Sequence, residues 1–230
     1  MKVSICIPTW EQYGRGVEFL KNNLTKISQQ TYKNFQVVIS DHSQNNDIEK
    51  LCAEFSSIFE LNYIKNEELR GNGPANTNNS IKNAKGDIIK IMFQDDFFYS
   101  DSAIDILVKK FEDPQVKWVV NGCNHTHDDG KTFSNFMVPS WNDNIATGTN
   151  TISSPSVLSF INQEPVLFDE QLVMLMDCEM YYQLFKKYGL PTIIPDTLVT
   201  NRMHQHQISS MYNKNMWDEI SHVKNKHKLN

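Results

Sequence analysis

The 230-residue chain is short of the features that mark several large protein classes. Its four cysteines, Cys6, Cys52, Cys123 and Cys178, are widely scattered and form no Cys-x-x-Cys pair. That argues against a cysteine zinc site and against a disulfide framework, which a domain of this size does not need. No apolar run approaches the ~20 residues that cross a bilayer. Met1 to Pro8 holds one lysine and an apolar stretch too short for a secretion signal, so it reads as a buried strand and points to a cytoplasmic setting. Positive charge is not in excess. The 22 Lys and Arg against 27 Asp and Glu give a net charge of −5, unsuited to a broad nucleic-acid surface. Also missing are a Walker A sequence and a Gly-x-Ser-x-Gly elbow. Gly71-Asn72-Gly73 is followed by Asn76 where a dinucleotide fingerprint needs a third glycine.

What the chain does have is 40% hydrophobic residues, enough for a sizeable core in one large domain. Apolar runs at Val3–Ile7, Phe35–Ser40, Leu61–Ile64 and Asp87–Phe93 predict strands. Between them, helical spacing covers 17–28, 48–55 and 75–84, the last ending at Gly86. This alternation implies βαβ units, an α/β class and a mostly parallel sheet with right-handed crossovers. The second half is less regular. Helices are expected over 101–111 and 172–188, strands over 116–120 and 192–194, and hairpins or loops over 124–155. The Lys- and His-bearing tail from Asn213 is expected to be a loosely packed helix.

In an open parallel sheet, ligands bind beyond the carboxyl ends of the strands. The polar groups placed there are Thr9-Trp10-Glu11, Asp41-His42-Ser43, Arg70 and Gln94-Asp95-Asp96. Asp95 and Asp96 repel each other unless a counter-ion lies between them, and one or two carboxylates with phosphate oxygens and water are how Mg²⁺ is usually held. Alone, the pair fits a solvated turn or a helix start as well. Asp41 suits either an Asx-turn or a base or ribose contact. Asp177 stands among Val173, Met174, Met176 and Met180, an apolar setting that favours a raised pKa and general-base work, although a first-turn surface acid has the same pattern. Glu179 points to another face of the same helix. His204 and His206 lie at i, i+2, with metal or phosphate contact one reading among several. His125 and His127 are expected to be structural or at the surface.

Six segments in order join these pieces: Val3-Ser4-Ile5-Cys6-Ile7-Pro8-Thr9-Trp10, Ser28 to Phe35, Val38-Ile39-Ser40-Asp41-His42-Ser43, Asn78 with Ala84-Lys85-Gly86-Asp87, Gln94-Asp95-Asp96, and Phe168-Asp169-Glu170 followed by Asp177. Together they resemble the inverting family 2 glycosyltransferases over nearly the whole chain, to about Ser210. The resemblance implies a GT-A, Rossmann-like fold with a mostly parallel central sheet flanked by helices and a smaller antiparallel, loop-rich acceptor half. It implies one domain over 1–212, with a nucleotide-binding half over 1–100, an acceptor and catalytic half over 101–212, and a tail over 213–230. By the same likeness, Pro8, Thr9, Trp10 and Glu11 line the nucleoside pocket and Asp41 takes the base N–H. Arg70 meets the nucleotide, and Asn78, Gln94 and Asp95 complete the donor site. Asp96 and His204 are the expected metal contacts, and Asp177 the catalytic base.

The implied activity is that of a hexosyltransferase. It moves a sugar, with inversion, from a nucleotide-diphospho-sugar (a UDP-sugar first) to a glycan or glycolipid hydroxyl, with Mn²⁺ or Mg²⁺. The implied setting is cell-surface polysaccharide synthesis, with peripheral docking at the inner membrane face left open and no nucleic-acid partner. Three features depart from the family pattern, one being Met176, which stands where an acidic residue often precedes the base. Gln94 precedes the Asp pair where many members carry Asp-x-Asp-Asp, and Asn76-Thr77-Asn78 stands for Ala-Arg-Asn. They keep open a degenerate, non-catalytic binder of sugar nucleotides or glycans. A sugar-phosphate nucleotidyltransferase is a further alternative, although Thr9 to Gly16 holds only one basic residue. If the transferase reading holds, acids 41, 95, 96 and 177 meet at one cavity.

Overall fold

The computed structural model describes residues 1–205, 207 and 216–229. His206, one of the paired histidines, lies outside the described residues, as do 213–215 of the expected tail. The first half follows the sequence pattern closely. Strand β1 (Val3–Thr9) leads through a single 3₁₀ turn to helix α1 (Gly16–Ser28), then β2 (Phe35–Asp41), α2 (Asp47–Phe55), β3 (Leu61–Lys65), α3 (Gly73–Lys82) and β4 (Ile88–Ile91). Helix α3 starts two residues earlier than its apolar spacing suggests. The Asn72 side chain accepts from Ala75 N and Pro74 occupies the first turn, both strong start signals. The strands β1, β2 and β4 are buried on both faces, which is why they read as unbroken apolar runs.

The second half adds β5 (Phe97–Phe98), α4 (Ala103–Phe111), β6 (Trp118–Thr126), β7 (Ser134–Met137), β8 (Leu158–Ile161), α5 (Met176–Tyr188), β9 (Thr192–Arg202) and α6 (Met216–His227). Among the described residues all nine strands form one sheet, ordered β3-β2-β1-β4-β8-β6-β9-β5 with β7 paired to β6. Strands β1 to β4 run parallel, and β8 is antiparallel to both β4 and β6, so β6 and its parallel neighbour β9 share the direction of β4. The mostly parallel α/β expectation holds.

Three local expectations need correction. Strand β6 continues to Thr126, so His125 is on a strand and not in a loop. Strand β9 has eleven residues, not three. Pro195 and the polar Thr, Asn and Arg residues disguise it, and the register shift opposite Asn121 and Gly122 absorbs the proline. A Cβ on Gly122 would come within 2.7 Å of Pro195 O, so glycine lets the two strands stay paired across this bulge. Finally, α6 is not loosely packed. Val223 is fully buried and Glu219 nearly so, and ion pairs to distant acids hold the helix down.

Candidate active site

A cleft of about 930 Å³ opens along the carboxyl ends of β1, β2 and β4 and extends to the start of α5. That volume lies at the upper end of the usual range for small-molecule sites. Pro8, Trp10, Glu11, Arg70, Gln94, Asp95, Asp96 and Asp177 all line it. Three of the four separated acids therefore share one cavity. The fourth, Asp41, sits one layer beneath. It is wholly buried, and its carboxylate accepts from Thr9 Oγ1 (3.1 Å), Ser43 N (2.9 Å) and Tyr63 OH (2.8 Å). Thr9 is buried with it. Asn78 is also outside the cleft, where its amide clasps Phe168 through both backbone groups and reaches Glu170 Oε1. The structure thus gives Asp41, Thr9 and Asn78 internal partners below and behind the cavity, because each side chain points into packed protein at its strand end or helix face.

The β1–α1 connection is built around backbone contacts. Gln94 accepts from Trp10 N (3.0 Å) and donates to Trp10 O (3.0 Å) and Gly16 O (2.7 Å), so its amide is spent on shaping the loop. A Cβ at Gly16 would lie 2.2 Å from Trp10 O, which only glycine avoids. Gln12 and Tyr13 have φ of 46° and 53°, a left-handed turn that non-glycine residues seldom adopt. The turn presents Trp10 edge-on to Tyr13 at 5.1 Å on the cleft wall and carries Gln12 Nε2 to 3.3 Å from Asp95 Oδ2. Burial would raise the Glu11 carboxyl. The backbone N–H groups of Gln44 and Asn45 outweigh it and hold the group below its ordinary value. His42 is tied by Gly71 N to Nδ1 (3.3 Å) and by Nε2 to Glu68 O (3.1 Å), fixing the loop that carries Arg70. Burial holds this imidazole toward its neutral form.

The acidic pair sits where β4 ends. Burial first, then the charge of Asp95, holds the Asp96 carboxyl well above the carboxylate range, despite its bond from Arg202 N (3.0 Å). Asp95 Oδ2 receives His204 Nε2 at 2.9 Å. His204, an expected metal contact, therefore stands against Asp95. Among the described residues no three His, Cys, Asp or Glu side chains form a ready metal cage. What the site does offer is a buried, cleft-lining carboxylate that burial and Asp95 keep above its ordinary range even with Arg202 and Lys90 near it, beside a second carboxylate. That donor set fits a hard divalent cation completed by substrate phosphates and water.

Asp177 enters from the first turn of α5. Its Oδ2 accepts from Asn150 Nδ2 (2.7 Å) and its Oδ1 from Cys178 N (2.6 Å). Burial outweighs these bonds and pushes its pKa up to about 6. Val173, Met174 and Met176 form the adjoining apolar wall. Asn150 Nδ2 also donates to Ser153 O, which accepts from Tyr181 OH as well. These bonds keep Ser153 at φ 108° on the cleft wall, a conformation that needs such support. Glu179 faces away, toward α6, as helical spacing requires.

Several site residues escaped the sequence. Arg202 is almost fully buried, donates from Nε to Asp95 O (2.9 Å), pairs with Asp129 and stacks 4.6 Å from the Phe19 ring. Gln12, Ser154 and Asn201 also reach the acidic pair or its support. Their partners lie far off in the chain, so no local motif marks them. His125, expected to be structural, lines the cleft, while His127 borders a neighbouring 280 Å³ hollow with Arg15, Arg202 and His204.

The chain is similar to known proteins both in sequence and in fold. An uncharacterized glycosyltransferase of Rickettsia conorii is 28% identical over 196 residues, covering 82% of this chain and 31% of the relative. A second, from Rickettsia felis, matches to the same extent, so the chain spans about a third of the length of these curated relatives. Among solved structures, S. aureus TarS 1-349 in complex with UDP-GlcNAc superposes with a TM-score of 0.73 at 14% identity, over 98% of this chain and 66% of that one. The mannosyltransferase PcManGT of Pyrobaculum calidifontis, in complex with GDP-Man and Mn²⁺, gives 0.64 at 16% identity, over 96% and 68%. The shared architecture is that of GT-A glycosyltransferases. The pattern of glycosyl transferase family 2 matches residues 4–169, and the chain belongs to that family.

Proposed function

We propose that this glycosyltransferase moves a sugar from a nucleotide-diphospho-sugar to a hydroxyl of a glycan or glycolipid, in one inverting displacement with Asp177 as the general base. The observation that carries the reading is the single cleft that holds both the Asp95–Asp96 pair and Asp177, with Asp177 poised near pH 6. Trp10 and Tyr13 offer an aromatic wall to the nucleoside, and Glu11 and Arg70 offer polar groups beside it. TarS with UDP-GlcNAc and PcManGT with GDP-Man support a sugar nucleotide as donor, with a UDP-sugar the first to test.

Asp177 takes the proton of the acceptor hydroxyl as that oxygen attacks the anomeric carbon. The bond from that carbon to the diphosphate oxygen breaks on the opposite face, with an oxocarbenium-like transition state and inversion. Burial sustains the raised pKa of the base, and the apolar Val173, Met174 and Met176 adjoin it on the cleft wall. Asp96, with Asp95 beside it, would hold Mn²⁺ or Mg²⁺, which when bound neutralises charge on the departing diphosphate. We assign residues 1–100 to donor binding and most of 101–212 to the acceptor side. We assign the acceptor, a cell-surface glycan or glycolipid, to the side of the cleft where Asp177 stands. Among the described residues no helix is long and apolar enough to cross a membrane.

The test is turnover with a panel of UDP- and GDP-sugars, with and without Mn²⁺, in wild type and Asp177→Asn. Metal-stimulated release of nucleoside diphosphate by the wild type alone supports the reading. Equal turnover in the variant assigns the base elsewhere, and pyrophosphate release from a nucleoside triphosphate and a sugar phosphate would replace the reading with a nucleotidyltransferase.

A further inference from the structure

The turn that delivers Asp177 has little local support. Residues 171–175 lie outside helix and strand, yet Val173 and Met174 form the cleft wall and Leu175 opens α5. Three successive backbone N–H groups of this turn point at one side chain from the far end of the chain. Val173 N donates to Glu219 Oε1 (3.1 Å), and Met174 N and Leu175 N donate to Glu219 Oε2 (2.9 Å each). A carboxylate is the side chain best suited to several converging N–H donors, and the positive end of a helix favours its charge.

Glu219 is itself held in place. Helix α6 is anchored by buried Val223 and by a chain of ion pairs to the same region of the molecule. Asp169 Oδ2 meets His222 Nε2 (2.8 Å) and Lys226 Nζ (2.7 Å). Glu179 Oε1, wholly buried on the back of α5, meets Lys226 Nζ and His227 Nε2 at 2.8 Å each. Thus α6 grips α5 on the face opposite the cleft and caps the turn at its start. Neither contact reaches Trp10, Glu11 or Arg70.

We propose that Glu219 is a positioning residue for sugar transfer: by gathering the three N–H groups of Val173 to Leu175, it sets the angle at which Asp177 enters the cleft. The inference rests on the assignment of Asp177 as the base. It makes the C-terminal helix part of the catalytic half, acting on the turn rather than on Trp10, Glu11 or Arg70, although Asn72 Nδ2 donates to Glu170 O (2.7 Å) just before that turn. A misplaced turn leaves the nucleotide site intact but moves the base off the line of proton transfer, where small displacements have large effects.

The experiment compares wild type, Glu219→Ala and Glu219→Gln in the full chain. In the Ala variant, kcat is expected to fall about tenfold or more, while KM for the donor and UDP affinity stay within about twofold. Amide hydrogen exchange at Val173, Met174 and Leu175 should quicken in the same variant, with strand β1 unchanged. Glu219→Gln, which keeps the reach and one accepting oxygen, should regain part of kcat; if the Ala variant does not fold, the Gln variant shows a smaller kcat loss with unchanged UDP affinity. An unaltered kcat in the folded Ala variant, an unaltered kcat in the Gln variant where the Ala variant does not fold, or kcat and UDP affinity falling together, overturns the inference. A wild type that transfers from no nucleotide sugar instead overturns the functional reading, and the exchange data, taken without donor, still report whether Glu219 holds the turn.

Discussion

The two halves of the sheet reach the same cleft by different means. Strands β1, β2 and β3 are each followed by a helix, β1 pairs with β2 and β2 with β3, and β4 crosses back to pair with β1, so apolar periodicity carries most of the arrangement. From β5 to β9, partners come from far apart. Strand β8 inserts between β4 and β6, β9 runs beside β6, and α6 returns to cap α5. The first half is thus specified mainly by local pattern and the second mainly by long-range contacts, although Gln94 and Asp95 also tie the end of β4 to Trp10, Gln12 and His204. Changes in the first should act on stability and nucleotide affinity, and changes in the second on turnover.

That division can be broken or sharpened by experiment. The largest effect is expected from Asp177→Asn. Turnover should fall by about 10²–10⁴, the usual contribution of a general base, with UDP affinity unchanged in calorimetry. Loss of UDP binding in this variant would erase the distinction between the halves. Next comes Gly16→Ala. Its Cβ would press on Trp10 O, and overpacking of this kind costs about 3 kcal/mol, to be read as a lowered urea midpoint together with weaker nucleotide binding. Asp96→Asn should separate stability from function. It removes a buried carboxylate whose ionised form burial and Asp95 disfavour, so the melting temperature above neutral pH should rise or hold while Mn²⁺-dependent UDP affinity drops.

A pH profile reads the catalytic half directly. The base must be ionised to accept a proton, so kcat should halve near pH 6 and fall about tenfold per unit below it. The smallest effect belongs to Asn150→Ala. Asn150 donates to the ionised Asp177, so its loss should raise the base's pKa further and move the acid limb of the profile upward. A downward shift would mean that Asn150 does not act on the charged form.

The same contrast governs how much could be read from sequence. Asp95, Asp96 and Asp177 were legible because each follows an apolar segment and repeats a family pattern, and the structure brings all three to the cleft. Asp41 was legible as a strand-end acid, yet whether it faces a ligand or its own turn depends on Tyr63 and Thr9, which spacing cannot place. Arg202 carried no signal at all. It acts through Asp95, 107 positions away. His125 was hidden because the polar residues of β6 resemble a loop, although pairing with β9 and β7 makes them a strand. The tail helix reads as weakly packed because its anchors are Lys and His side chains, whose partners, half-buried Asp169 and wholly buried Glu179, lie elsewhere in the chain.

The most direct test is a crystal structure with a UDP-sugar and Mn²⁺ bound to the Asp177→Asn variant. The account expects the nucleoside against Trp10 and Glu11, the diphosphate beside Asp95 and Asp96, and the anomeric carbon facing residue 177 across the cleft. A nucleotide bound outside this cleft, or a sugar turned with its anomeric carbon away from residue 177, would contradict it.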